Sequence, residues 1–324
     1  MKQYFSFQWH ITDACDQRCK HCYIFSEDNG KALDAMTWEQ MRETLDNCLD
    51  FCQVYGRRPY FYITGGDPIL HPDFWKLLEQ MQQRDLPFTI LGNPYHLDDQ
   101  VCRRLKAYGC EKYQLSLDGM RETHDWFRRP GSFDITLEKI GCINRAGIKS
   151  VIMTTVSGTN IDEVPEIVDT VVAHGANVFA FARYCPTSEE RDTDITPQRY
   201  RELLAVCDQK FKAYEAAGCH TYFNKKDHLW TLYAYETGAF KRSDAARAAG
   251  HLFPHRPATH NVRGRGGLPI CADCTRALCY GPPSSGWQDR HRAVKPSGGA
   301  SASRGAKRQM HLIYANAQRA QGAK

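Results

Sequence analysis

Cys15, Cys19 and Cys22 stand within eight residues, CDQRCKHC, spaced C-x3-C-x2-C. Thiolates clustered on one short loop are soft metal ligands. A structural zinc site takes four protein ligands, commonly as two C-x2-C pairs. Here there is one C-x2-C, one C-x3-C and no evident fourth ligand; His21, wedged between Cys19 and Cys22, would crowd three ligands together. Ferredoxin-type clusters use four cysteines. A redox dithiol would leave Cys15 without a role, and three independent thiols would need no explanation at all. Three thiolates on a cubane would leave one iron open to a substrate or cofactor, and the spacing suggests that arrangement.

Other residues could join the chemistry. Gly65-Gly66-Asp67-Pro68 is by itself a generic turn. Ser116 in LSLDG and Asn160 in VSGTN are polar residues next to strand-like segments, with plain readings as an inward strand serine and a helix cap. Arg128 in HDWFRR and Arg183 in FARYCP could meet a carboxylate or form surface ion pairs, and Asp118 and His124 are the acid–base candidates. Cys48 and Cys52 follow the helical spacing of Trp38, Met41, Leu45 and Leu49 and read as core.

The elements that must position these residues alternate. Strand patterns at 4–12, 60–64, 87–93, 112–119, 149–156 and 177–185 are interleaved with helix patterns at 38–52, 73–85, 98–109, 132–147, 161–175 and 196–218. Thr37 and Gln40 form a capping box at the start of the first helix. Six strand–helix units predict an α/β fold with a parallel sheet, curved as a partial (β/α)6 barrel or open and doubly wound. In both, chemistry gathers at the C-terminal ends of the strands. The cysteine loop, GGDP, Ser116 and VSGTN all fall at or just after such ends.

On Cys15, Cys19 and Cys22 after the first strand, and Gly65-Gly66-Asp67-Pro68 after the second, the chain resembles the radical S-adenosylmethionine (radical SAM) superfamily. The resemblance covers residues 4–220. It implies a partial (β/α)6 barrel of the radical SAM type, with one 4Fe–4S cluster on the three cysteines and S-adenosylmethionine chelating the open iron. GGDP resembles the GGEP motif whose backbone holds the methionine amino group; Asp67 in place of Glu is a departure. By the same resemblance Ser116 lies near the ribose and Asn160 is a further cofactor contact. Tyr23 packs beside the cluster, and His21 takes the place of an aromatic that shields adenine. The implied reaction is reductive cleavage to a 5′-deoxyadenosyl radical that takes hydrogen from a substrate carbon.

QWHITDACDQRCKHCY, ITGGDP, QLSLDG and the following H-D-x-x-R resemble the branch that modifies ribosomally made peptides, including maturases of ACGX-repeat peptides. This implies a peptide substrate, a low-potential electron donor of flavodoxin or ferredoxin type, and a C-terminal SPASM domain holding auxiliary clusters. The chain departs from that pattern. Residues 1–240 hold 27 Lys and Arg against 34 Asp and Glu, a net of −7, whereas 241–324 hold 15 against 3, a net of +12, and contain no Glu. Cys271, Cys274 and Cys279 read C-x2-C-x4-C, short of the SPASM pattern. The expected organisation is therefore a core at 1–222, a bridging aromatic helix at 223–242 and a basic, mostly disordered or incomplete region at 243–324. A degenerate cluster or zinc knuckle, a basic arm and a shift of reading frame near residue 243 are competing accounts of that tail, and the shift is the favoured one.

No apolar run reaches 18 residues, so no membrane partner is expected. The opening MKQYFSFQWH lacks a signal peptide's features, which with 14 cysteines predicts reduced thiols and a cytoplasmic location. Nucleic acid is not the expected partner. The competing reading is a non-catalytic iron–sulfur or zinc protein whose basic tail binds nucleic acid or an acidic partner.

Overall fold

Seven strands and eight helices follow one another in the computed structural model, which describes residues 4–22, 24–25, 33–185 and 195–239. Tyr23, Cys271, Cys274, Cys279 and the basic region from residue 243 lie outside the described residues. The order is β1 (Tyr4–His10), α1 (Trp38–Val54), β2 (Arg58–Thr64), α2 (Phe74–Gln83), β3 (Phe88–Leu91), α3 (Asp99–Ala107), β4 (Cys110–Ser116), α4 (Arg121–Phe127), α5 (Ser132–Arg145), β5 (Lys149–Val156), α6 (Val164–Ala173), β6 (Val178–Arg183), α7 (Pro197–Ala216), β7 (Tyr222–Asn224) and α8 (Leu229–Glu236). All neighbouring strands pair in parallel, in sequence order from β1 to β7. The fold is the expected partial parallel α/β barrel, with a seventh strand added to the six anticipated.

Alternation along the strands sorts their side chains. Phe7 and Trp9 of β1, Phe61 and Ile63 of β2, Tyr113 and Leu115 of β4 and Phe179 and Phe181 of β6 join one core with Met41, Leu45, Cys48 and Cys52 of α1 and the buried faces of the other helices. Cys48 and Cys52 are thus packing residues, as their spacing indicates. The opposite strand face carries Gln8, His10, Gln114, Ser116 and Thr155, less buried and more polar. That face is the barrel interior. The predicted capping box is present: Thr37 Oγ1 accepts from the Gln40 amide, and Gln40 Oε1 accepts from the Thr37 amide.

The last elements extend the barrel. β7 runs through residue 222, where the core was expected to end, and Trp230 of α8 is buried against Phe181 and Phe211 at ring separations of 5.7 and 5.8 Å. Among the described residues no helix is long and apolar enough to cross a membrane.

Candidate functional site

The loops that leave β1 and β2 continue side by side beyond the sheet. The amide of Ile11 donates to the Thr64 carbonyl at 3.0 Å, that of Gly66 to Thr12 at 2.7 Å and that of Asp67 to Ala14 at 2.7 Å. On its other side the cysteine loop is held by Met36, whose amide donates to the Ile11 carbonyl, and by the Thr12–Ala35 bridge. The two glycines are required by this approach. A Cβ on Gly65 would lie 2.3 Å from the Thr12 carbonyl oxygen, and one on Gly66 2.3 Å from that of Ala14. GGDP is therefore a cradle for the backbone that carries the cysteines. Pro68 opens the short 3-10 turn Pro68–Leu70 that leads away from it.

All three thiols are free and half-buried. Cys15 Sγ accepts from Asn93 Nδ2 at 3.2 Å and from the Gln17 amide at 3.4 Å. Cys19 Sγ faces Gln17 Oε1 at 3.6 Å and Arg128 Nη1 at 3.7 Å. Burial raises the Cys15 thiol, with the Gln17 and Asn93 donors opposing. Burial pushes Cys19 up to about 11 against the Arg128 charge, and Cys15 and Cys22 are near enough to act on its ionisation. A cationic centre would supply the charge these thiolates need.

Behind Cys19 lies a buried charge pair. Arg128 Nε and Nη2 each donate to Asp118 Oδ2 at 2.6 Å, and the Thr155 amide donates to Oδ1 at 2.8 Å. Burial would raise the Asp118 carboxyl, but Arg128, His21 and the Thr155 amide together hold it well below the usual carboxylate range. Arg128 is not the surface ion pair that its sequence context allowed. Nor is Asp118 an available acid. His124 is fully buried, with Nδ1 accepting from the Asp118 amide at 3.0 Å and Nε2 on Ser132 Oγ at 3.1 Å. Burial, aided by the Arg128 charge, lowers its pKa to about 4. Both acid–base candidates are therefore architectural. Arg183 lies apart from them, paired through Nε with Asp227 at 3.0 Å, on a carboxylate that also accepts from Tyr200.

Ser116 ends β4 on the interior face. Asn160, the further cofactor contact expected by resemblance, lies buried at the ends of β4 and β5. Its Nδ2 donates to the carbonyls of Asp118 (2.7 Å) and Thr155 (2.9 Å), and its Oδ1 accepts from the Ser157 amide at 2.7 Å. Both donors of this buried amide are spent on these carbonyls, which pins the ends of β4 and β5 together.

Beside these strand ends opens a cavity of about 180 Å³, lined by Lys20, His21, Trp126, Phe127, Thr155, Ser157, Thr159 and Tyr184. The His21 ring stands edge-on to Phe127 at 5.1 Å and to Tyr184 at 6.2 Å. Its Nδ1 is buried without a partner among the described residues. Pockets for drug-sized ligands run to ~300–1,000 Å³; this one suits a single flat ring. Sequence reasoning named His21 but missed Trp126, Ser157 and Tyr184, whose only signal is their place just beyond β4, β5 and β6. Asp67 is fully buried, and neither carboxylate oxygen accepts a hydrogen bond of full geometry among the described residues. Burial pushes it up to about 7 and the Asp16 charge adds to this, while the nearby Asn93 and Ile69 amides oppose.

A family model described as the Radical SAM superfamily matches residues 9–171, half of the chain. An AdoMet-dependent heme synthase of Methanosarcina barkeri is 27% identical over 199 residues, covering 60% of this chain and 55% of that protein. A mycofactocin maturase of Mycobacterium tuberculosis is 27% identical over 209 residues, covering 64% and 50%. Among solved structures, Streptococcus suis SuiB bound to its precursor peptide SuiA superposes with a TM-score of 0.57 at 16% identity, covering 75% of this chain and 53% of that one. The chain thus spans about half the length of the curated relatives it matches.

Proposed function

The chain belongs to the radical SAM superfamily, and from that premise we propose that it is an enzyme that modifies a ribosomally made peptide. Its cofactors are those of the family, one 4Fe–4S cluster and S-adenosylmethionine. When bound, they supply one-electron reductive cleavage of the sulfonium and removal of a hydrogen atom from a substrate carbon. The observation that carries the reading is the cysteine loop clamped backbone to backbone against GGDP, with three free, half-buried thiols on that loop.

Each residue then has a task. Cys15, Cys19 and Cys22 hold the cluster. Asn93, Gln17 and Arg128 aim donors at the sulfurs of Cys15 and Cys19, which favours the thiolate form. The backbone of Gly65, Gly66, Asp67 and Pro68 receives the amino group of S-adenosylmethionine, and Ser116 faces its sugar from the barrel interior. Asn160 acts through the strand ends it pins. The cavity beside His21 takes the flat base and keeps water from it. An electron donor of flavodoxin or ferredoxin type completes the system.

The peptide reading is supported by the maturase relative and by the fold shared with a peptide-bound structure. Within it, an ACGX-repeat peptide is the proposed substrate, and a core at 1–222, a bridge at 223–242 and a degenerate or frame-shifted SPASM region are the proposed organisation. The heme synthase relative favours a second reading, in which a heme precursor is the substrate.

One experiment tests both levels. Protein reconstituted anaerobically with iron and sulfide, reduced and given S-adenosylmethionine should release 5′-deoxyadenosine. The Cys15→Ala/Cys19→Ala/Cys22→Ala variant should release none. An ACGX-repeat peptide should raise product formation and itself lose hydrogen by mass spectrometry, whereas an iron porphyrin should do neither. Stimulation by the porphyrin alone would favour the second reading, and a full cluster without deoxyadenosine would sink both.

A further inference from the structure

Three consecutive rim loops bring together a second group of ligating side chains that the reaction above does not use. Asp16 lies in the loop after β1, Asp67 in the loop after β2 and His96 in the loop after β3. One ligand atom from each lies within 4.8 Å of the others. We propose that Asp16, Asp67 and His96 form a binding site for a first-row divalent cation, separate from the thiols.

Asp67 gives the strongest indication. Both of its carboxylate oxygens are buried, and neither accepts a hydrogen bond of full geometry among the described residues; only the backbone amides of Asn93 and Ile69 come near. A buried carboxylate without a counter-ion is costly, and a second carboxylate nearby makes it more so. Asp16 is half-buried; its Oδ1 accepts from Asn93 Nδ2 at 2.6 Å and its Oδ2 meets His96 Nε2 at 3.1 Å. Among the described residues His96 is the only basic side chain within ion-pair distance of either carboxylate. The ring that would hold a metal is thus already aimed at the carboxylates. The His96 side chain is 40% exposed, which leaves an entry path for an ion.

The donor set defines the class of ion. Two carboxylates and one imidazole suit zinc, manganese or iron(II). Calcium and magnesium prefer all-oxygen shells. The absence of sulfur among its ligands distinguishes this site from the thiols, although Asp16 directly follows Cys15 in the same loop; Asn93 Nδ2 also links the two, donating both to Asp16 and to Cys15 Sγ at 3.2 Å. The proposal leaves the backbone of GGDP to its own task and uses only the Asp67 side chain.

Mn2+ is the appropriate probe, because it avoids thiols and its free form gives a six-line electron paramagnetic resonance signal. Cluster-loaded full-length protein, stripped with a mild chelator, is titrated with Mn2+ without S-adenosylmethionine. One ion per chain should leave the free signal. Asp67→Asn and His96→Ala should each weaken binding tenfold or more, and His96→Ala should keep the full iron and sulfide content. If Asp67→Asn fails to fold, His96→Ala alone decides the matter, since its side chain is partly exposed. Mn2+ that stays free up to millimolar concentration, or that binds His96→Ala as tightly as the parent protein, overturns the site. So does S-adenosylmethionine that binds only when Asp67 is intact while Mn2+ binding ignores both variants, because Asp67 would then be paired with the cofactor's ammonium group.

Discussion

His124 and Arg128 lie close together behind the cysteine loop, and each carries a measurable consequence. The neutral, buried His124 has a native pKa of about 4, below the ordinary 6.5. Between those values the unfolded chain binds more protons than the native one, so the native state is favoured fully above pH 6.5 and loses stability as pH falls towards 4. The loss should reach about 2–3 kcal/mol. Urea unfolding of the cluster-free chain should show this slope, and His124→Phe should flatten it while costing stability at neutral pH, because the Asp118 amide loses its acceptor. Arg128→Met strands the Asp118 carboxylate in the interior and should cost about 3–5 kcal/mol. Adding Asp118→Leu should recover much of that loss, a coupling that a double-mutant cycle in urea would measure. The cysteines, the two glycines and, through H-D-x-x-R, Arg128 were legible because they sit in short local patterns. Gln17, Asn93 and Ser132 were not. Asn93 is 78 residues from Cys15, and Gln17 is 115 from Ser132, so only the fold brings them together.

At the scale of elements, the two loops after β1 and β2 behave as one unit. Their pairing continues the sheet without side chains between them, so a single methyl group should pry them apart. Gly66→Ala puts a Cβ 2.3 Å from the Ala14 carbonyl, a backbone atom that cannot turn aside. The expected result is a chain that folds but retains little iron after anaerobic reconstitution. Gly141→Ala is the contrasting case. Its Cβ would meet only the flexible end of Arg145, at 3.1 Å, inside α5. That change should raise stability by up to ~1 kcal/mol and leave iron content unchanged. The alternation of strands and helices was readable because each long element repeats its apolar period several times. α4 and β7 escaped notice for the opposite reason: seven and three residues are too few to display a period. Asn160 was placed at its turn, but nothing local indicates that its amide would be used up on the carbonyls of Asp118 and Thr155.

At the scale of the whole molecule, iron stoichiometry separates the accounts of the region after residue 243. The barrel supplies one set of three cysteines at its rim, and the described cysteines in the core are packing residues; burial pushes the thiols of Cys48, Cys102 and Cys207 up to about 12. Those buried thiols are poor metal ligands, since the thiolate is the binding form. Cys271, Cys274 and Cys279 are then the only further set arranged like ligands in the sequence. If the SPASM pattern has been lost, the reconstituted full chain should hold about four irons, the content of one cubane cluster. Cys271→Ser/Cys274→Ser/Cys279→Ser should leave both that number and the release of 5′-deoxyadenosine unchanged. A parent count near eight that falls by half in this variant would mean that the basic region carries an auxiliary cluster. Peptide modification, but not cleavage of S-adenosylmethionine, should then fail with it, because the barrel residues proposed to hold the first cluster and the cofactor all precede residue 185.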